Sequence, residues 1–209
     1  MTTAFTLDRT RNLLFDEAGR CFDPRSRTWS AGPHAPGGDP VDAVAAATWL
    51  QRRSGAPIRV PVGVIGPREA TPAQLAAAEQ AGSGLAAMGF TVICGGRQGV
   101  MEAVCRGASA AGGIAIGMLP EADPSFANAY ASVVIATGIG EARNALIARA
   151  ALCLVAIGDS YGTLSEVALG RQFGKQVFGL EGAARVDGVM HVPTVAAALD
   201  GVARCALGL

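Results

Sequence analysis

The stretch IGDSYGTLSE, residues 157–166, follows an apolar run and precedes a helical pattern. Its glycines free the backbone to turn N–H groups outward, and the helix start beyond adds unpaired donors and the positive end of a dipole. Such a loop suits a phosphate held by Gly158, Ser160, Gly162 and Thr163, with Glu166 placed for acid–base or electrostatic chemistry. The same residues have a plainer reading. Thr163-Leu164-Ser165-Glu166 is also a capping box, in which the threonine hydroxyl takes the amide three residues on and the glutamate reaches back to the threonine N–H. Both readings stand at the level of sequence.

Three further loops carry glycine after an apolar run: Gly66-Pro67-Arg68, Gly95-Gly96-Arg97-Gln98-Gly99 and Thr137-Gly138-Ile139-Gly140. One such loop could be a tight turn; several converging on one sheet edge point to a phosphate or nucleotide pocket. Candidate ligand contacts are therefore Gly66, Arg68, Gly95, Gly96, Arg97, Gly99 and Gly138, together with the residues of the 158–163 loop. Arg143 falls in the first turn of a helix, where the dipole disfavours a cation. It either faces a ligand or pairs with Glu141 or Asp159 at the surface. Glu102 reads equally as a ligand contact or a first-turn acid, and Tyr161 could stack on a base or pack on the terminal helix. There is no GxxxxGK[ST], which disfavours a P-loop nucleotide hydrolase. The first strand lacks GxGxxG and no suitable acid follows the second, which disfavours a nicotinamide dehydrogenase.

The elements that must position these loops alternate regularly from residue 61. Apolar strands are expected at 62–66, 91–96, 114–119, 132–138, 152–158 and 176–180, with helices at 72–89, 99–113, 141–151, 163–174 and 193–208. Short, wholly apolar strands between helices imply a mostly parallel sheet covered on both faces, a doubly wound Rossmann-like α/β domain over 61–209. Ligands of such sheets bind at the carboxyl ends of the strands, where strand order reverses. Residues 1–60 read differently: a hairpin around Glu17-Ala18-Gly19-Arg20, a Gly/Pro loop over 31–40 and a helix within 39–53. Trp29 and Trp49 are expected to pack the core of this extension.

With 209 residues, half of them hydrophobic, the chain can bury a substantial core. Its formal charge is zero, so no basic field exists for nucleic acid or an anionic membrane surface, and a charged ligand needs local groups. Five scattered cysteines without CxxC spacing, and histidines only at 34 and 191, offer no disulfide framework and no metal cluster. The first residues lack a signal-type apolar core, and no apolar run approaches the roughly 18–20 residues of a spanning helix. A soluble, reduced, cytoplasmic protein is expected.

Two segments, CGGRQGVMEAVCRGASAAGGIAIGMLP (94–120) and RNALIARAALCLVAIGDSYGTLSE (143–166), closely resemble the SLOG/LOG superfamily. The similarity is strongest to its bacterial branch of Rossmann-fold nucleotide-binding proteins, near the molybdenum-cofactor carrier proteins, and covers about residues 61–182. In the Lonely Guy enzymes of that superfamily, a PGGxGTxxE motif supplies a phosphate loop and a catalytic glutamate. The resemblance implies Gly162 and Thr163 as the GT, Glu166 as the glutamate and Arg143 as the assisting arginine of a nucleoside 5′-monophosphate phosphoribohydrolase. Departures oppose turnover. Asp159 and Ser160 replace the paired glycines, and an ionised Asp159 about 4 Å from a phosphate would cost roughly 4 kcal/mol at an effective dielectric near 20. Arg97 stands where those enzymes carry a third glycine and could bind phosphate in compensation.

The expectation is a protein that binds a phosphorylated nucleotide or pterin-nucleotide-like ligand without turnover, requires no cofactor, and carries a nucleotide or molybdopterin-type molecule. The phosphoribohydrolase is the alternative, and a ligand-dependent interaction protein docking through residues 1–60 a third reading. The resemblance also implies a homodimer or higher homo-oligomer. Lysine decarboxylation, an old label of the superfamily, lacks a Schiff-base lysine near the glycine loops, because Lys175 is the only lysine.

Overall fold

Strands β6 (Val62–Ile65), β10 (Leu154–Ile157) and β11 (Val177–Leu180) bury every side chain and leave no face for water. They must therefore lie inside a sheet covered on both sides. A computed structural model describes residues 5–32 and 37–209; His34 and the middle of the 31–40 loop lie outside the described residues. The chain forms two units, Arg59–Leu199 and Met1–Ile58 with Asp200–Leu209.

The first of these holds the parallel sheet. Its remaining strands are β7 (Val92–Cys94), β8 (Ala115–Leu119), β9 (Val133–Ala136) and β12 (Val189–His191). The order is β12-β11-β10-β6-β7-β8-β9, and every described pairing is parallel. From β6 the chain builds outward through α2 (Pro72–Met88) and α3 (Val100–Ala110) to β8 and β9. It then returns through α4 (Arg143–Ala150) to β10 on the other side of β6, and continues through α5 (Tyr161–Gln172) to β11. Because crossovers are right-handed, reversing direction puts α4 and α5 on the face opposite α2 and α3. The core under α4 and α5 joins Ile65, Ile93, Met118, Ile147, Leu154 and Val167. On the other face α2 and α3 approach so closely that a Cβ on Gly82 would collide with the Val104 carbonyl and one on Gly107 with that of Glu79. Strand order reverses between β6 and β10, so the loops after Ile65 and Ile157 splay apart there and open a crevice.

Most expected elements of this unit are present. The parallel, doubly wound sheet is as read from the sequence, with a seventh strand, β12, that was not expected. It is a three-residue edge element with one half-buried and two exposed side chains, too short to show periodicity. The helix expected at 163–174 begins two residues earlier, at Tyr161, because the cap is Ser160. No helix among the described residues is long and apolar enough to cross a membrane.

The second unit is a five-stranded antiparallel sheet of order β4-β3-β2-β1-β5 with helix α1 (Ala43–Arg52) and the last turns of α6 (Val195–Ala206). The strands are β1 (Phe5–Asp8), β2 (Leu13–Asp16), β3 (Arg20–Asp23), β4 (Thr28–Ala31) and β5 (Asp39–Val41). The expected hairpin is β2–β3, turned by Gly19 at φ +75°, whose N–H donates to the Asp16 carbonyl at 3.0 Å. Strands β1, β4 and β5 were not expected. Each has three or four residues, and β5 carries Pro40, which removes a ladder donor and is tolerated at an edge. The helix starts at Ala43 because the Asp42 carboxylate accepts the Ala45 N–H at 2.8 Å. Phe5, Leu14, Phe15, Phe22, Trp49 and Leu50 form its core. Trp29 stacks on Phe5, and its indole donates to the Leu207 carbonyl at 2.8 Å, joining the chain's last residues to this unit.

Candidate functional site

A cavity of about 730 Å³ opens at the carboxyl edge of the parallel sheet, at the β6/β10 switch point. That volume lies within the range of small-molecule sites. Its wall comes from five segments: the end of β6 with Gly66 and Arg68, the Gly95–Arg97 loop, Met101 of α3, the start of α4, and the first turns of α5. Of the sequence candidates, Gly66, Arg68, Gly95, Arg97, Arg143, Ser160, Gly162, Thr163 and Glu166 meet around this one space.

The other four glycines serve the backbone behind it. Gly96, at φ +74°, lies against Gly117 of β8, and Gly158, at φ +70°, lies against the Gln74 amide. Gly138, also at positive φ, donates its N–H to the Glu121 carbonyl at 3.0 Å. Gly99 borders a smaller adjoining hollow with Arg68, Glu102 and Arg106. None of these four lines the main cavity.

The opening loop resolves one ambiguity directly. The cap of α5 is Ser160, whose hydroxyl accepts the Thr163 N–H at 3.1 Å and lies 2.9 Å from the Thr163 hydroxyl. Thr163 is therefore inside the first turn, and the Thr163–Glu166 capping box does not form. Glu166 turns inward, only 6% exposed, with Oε1 3.4 Å from Arg143 Nη1. Burial pushes its carboxyl up to about 8 against the opposing pull of Arg143, with a small further push from Glu141. At neutral pH Glu166 is thus mostly a neutral acid.

Arg143 is as deeply placed, 5% exposed, so of its two readings the surface pairing with Glu141 or Asp159 is not what the fold uses. Its Nη1 donates to Asn144 Oδ1, and its Nε has no partner among the described residues. The guanidinium lies over Gly95, where a Cβ would sit 2.6 Å from Nη2. That Cβ would also sit 2.5 Å from Met101 Sδ, so a side chain here would displace both Met101 and Arg143. Asp159 is exposed and does not line the cavity. Tyr161 stands 95% exposed at the rim.

Arg97 is held differently. Its guanidinium pairs with Glu121 and, at 3.5 Å, with Glu141, all three at least partly open to solvent. Arg68 is exposed and makes no ion pair among the described residues.

Sequence reasoning missed Asn144 and Glu121. The buried Asn144 donates to Ser165 Oγ at 2.8 Å and accepts from Arg143, tying the start of α4 to α5. An asparagine beside an arginine at a helix start was the available signal, since asparagine is a poor helix former without such a task. Glu121 follows Pro120 at the end of β8, and only the fold brings it to Arg97.

The arrangement offers two unpaired first-turn N–H groups of α5, the Ser160 hydroxyl, arginines at three depths and a neutral carboxylic acid. It can hold an anionic group and donate hydrogen bonds to a planar heterocycle.

Known proteins share this fold. One solved relative is the molybdenum cofactor binding protein of the phototrophic bacterium Rippkaea orientalis, 32% identical with a TM-score of 0.66, covering 69% of this chain and 96% of that one. Another is the Moco carrier protein of Chlamydomonas reinhardtii, 32% identical with a TM-score of 0.66, covering 72% and 100%. An uncharacterised Archaeoglobus fulgidus protein is 36% identical over 128 residues, which is 61% of this chain and 84% of that protein. The SLOG cluster4 family model matches residues 59–200, which is the parallel-sheet unit almost residue for residue. The chain belongs to the SLOG cluster4 family.

Proposed function

We propose that this protein binds a phosphorylated pterin or nucleotide in the cavity at the β6/β10 switch point and holds it without turnover, as a carrier. The single observation that carries the choice of carrier over hydrolase is the placement of Glu166, buried with its Oε1 3.4 Å from the buried Arg143 guanidinium. A phosphoribohydrolase needs an ionised carboxylate beside the ribosyl carbon to stabilise an oxocarbenium-like transition state or to orient water. Here that carboxyl is buried and raised to about 8, and its Oε1 accepts from Arg143 at 3.4 Å, so burial opposes the ionised form that such a role needs. The similarity to proteins described as binding or carrying the molybdenum cofactor supports a pterin-type ligand, with the phosphate at the α5 start. The protein is proposed to work in the cytoplasm as a homo-oligomer, like the superfamily it resembles.

The hydrolase remains the second reading because Glu166 does line the cavity beside Arg143, where a neutral acid could protonate a leaving base. One experiment separates the two. The full chain is incubated with AMP, GMP, CMP, UMP, their ribosides and molybdopterin, while melting temperature and released base are both followed. The carrier predicts a rise in melting temperature that requires the phosphate, with no free base. Base release that depends on the 5′-phosphate and is lost in Glu166→Ala establishes the hydrolase instead. No shift and no release with any compound overturns both.

A further inference from the structure

Cys94 ends β7 and Cys105 lies midway along α3, and their sulphurs are 3.5 Å apart with both residues shielded from solvent. Around them is a set of contacts that all lead to one loop. The Gly96 N–H donates to Cys94 Sγ at 3.4 Å, and the Cys94 thiol lies 3.6 Å from the Met101 carbonyl. The buried Asn128 amide reaches Cys105 Sγ at 3.7 Å and donates to the carbonyls of Gly96 and Arg97 at 3.0 and 3.1 Å. Gly95, Arg97 and Met101 line the cavity, so the thiol pair lies directly beneath its floor.

We propose that Cys94 and Cys105 are a dithiol that closes to a disulfide on two-electron oxidation by a peroxide, and that closure loosens the ligand's hold on the cavity. The two thiols are not equivalent. The Cys94 thiol and the Asn128 amide donate to Cys105 and hold it below the ordinary thiol value, while the shared bond and burial push Cys94 up. Cys105, with the Asn128 amide donating to its sulphur at 3.7 Å, is assigned as the nucleophile. Its thiolate attacks the peroxide O–O bond; an S–O bond forms, the O–O bond breaks and one water leaves after protonation. Cys94 then attacks that sulphur; the S–S bond forms, the S–O bond breaks and the second water leaves. Two thiols lose two electrons and two protons, and one peroxide becomes two waters. Peroxide is close to water in size, and the cavity ends at Gly95 and Met101, next to the pair.

The consequence for the ligand follows from packing. A disulfide requires the sulphurs to close from 3.5 Å to about 2.05 Å, which pulls on the end of β7 and on α3. The Cys94 S–H that hydrogen-bonds Cys105 is lost. Gly96 has no slack, because a Cβ there would already lie 2.9 Å from Gly117 Cα. The displacement passes to Gly95, beneath Arg143, and to Arg97. The effect on ligand rests on the function proposed above, whereas the disulfide does not.

The test treats the full reduced chain with hydrogen peroxide, alkylates it under denaturing conditions and maps the peptides by mass. The expected product is a Cys94–Cys105 cross-link two hydrogens lighter than the dithiol, reversed by dithiothreitol and retained in the Cys21→Ser, Cys153→Ser, Cys205→Ser triple variant. Recovery of Cys94 and Cys105 as alkylated thiols or sulfinic acids, or paired with other cysteines, overturns the proposal. AMP titrations of the reduced and oxidised forms then test the coupling, with a several-fold loss of affinity expected on oxidation and reversed by dithiothreitol. Equal affinity in the two forms overturns the coupling. A reduced protein that binds neither AMP nor molybdopterin sinks the ligand assignment alone, and the cross-link is still decided by mass.

Discussion

Arg143 and Arg97 both line the cavity and both lie near carboxylates, yet their surroundings differ. Arg143 is buried with one glutamate that the same burial turns mostly neutral, so a positive charge stays available inside the wall. Arg97 sits nearer the rim between Glu121 and Glu141, which together over-compensate it. A buried cation beside a neutral acid attracts an incoming anion strongly, while a half-exposed cation already shared by two carboxylates has little left to offer. On the proposed function, depth and not residue type makes Arg143 rather than Arg97 the principal anchor for the ligand.

The sharpest way to break that contrast is Arg143→Ala. Losing a charged hydrogen bond worth about 1.5–3 kcal/mol should weaken binding of a phosphorylated ligand about 10- to 100-fold by calorimetric titration. Gly95→Ala attacks the same arginine indirectly, since the new Cβ would sit 2.6 Å from Nη2. Overpacking of this kind costs about 1–3 kcal/mol. It should lower the urea midpoint and weaken binding, while leaving the Arg97 ion pairs in place.

The state of Glu166 makes a prediction about pH. Its carboxyl is raised from 4.5 to about 8 in the fold, so between those values the folded protein keeps a proton the unfolded chain has released. Stability should therefore fall as pH rises through that window, by at most about 1.4 kcal/mol per pH unit, and level off above it. Anion affinity should fall as pH passes about 8, because the newly ionised carboxylate neutralises Arg143. Glu166→Gln should flatten both curves; urea midpoints and titrations at several pH values measure them.

Arg97→Gln is expected to do least. Its ion pairs are partly exposed, so stability should change by under about 1 kcal/mol, and affinity only a few-fold. A loss as large as that of Arg143→Ala would overturn the contrast.

Much of this was legible beforehand, for identifiable reasons. The apolar strands around Val64, Val155 and Phe178 announce themselves because burial on both faces leaves no polar alternation to misread. The glycine loops and the 157–166 stretch likewise located the cavity edge, and Glu166 and Arg143 were named as partners of a site. What failed was local geometry read without neighbours. Thr163-Leu164-Ser165-Glu166 has the letters of a capping box, but Ser160 competes for the same helix start and wins. Glu166 is then free to turn towards Arg143. Strands β1, β4, β5 and β12 escaped notice because three or four residues hold too few side chains to show a period of two. Their pairing comes from partners elsewhere in the chain.

Sequence alone determined the parallel doubly wound sheet, its switch-point crevice and the residue types that surround it. These follow from short-range patterns: apolar runs, helix caps and glycines that permit close turns. Only the tertiary structure decided that Glu166 is a buried, mostly neutral acid, that Arg97 is shared by Glu121 and Glu141, and that Cys94 and Cys105 touch. Charge state and thiol proximity depend on desolvation and on groups 11 to 44 positions apart, and neither is written in any single stretch of the chain.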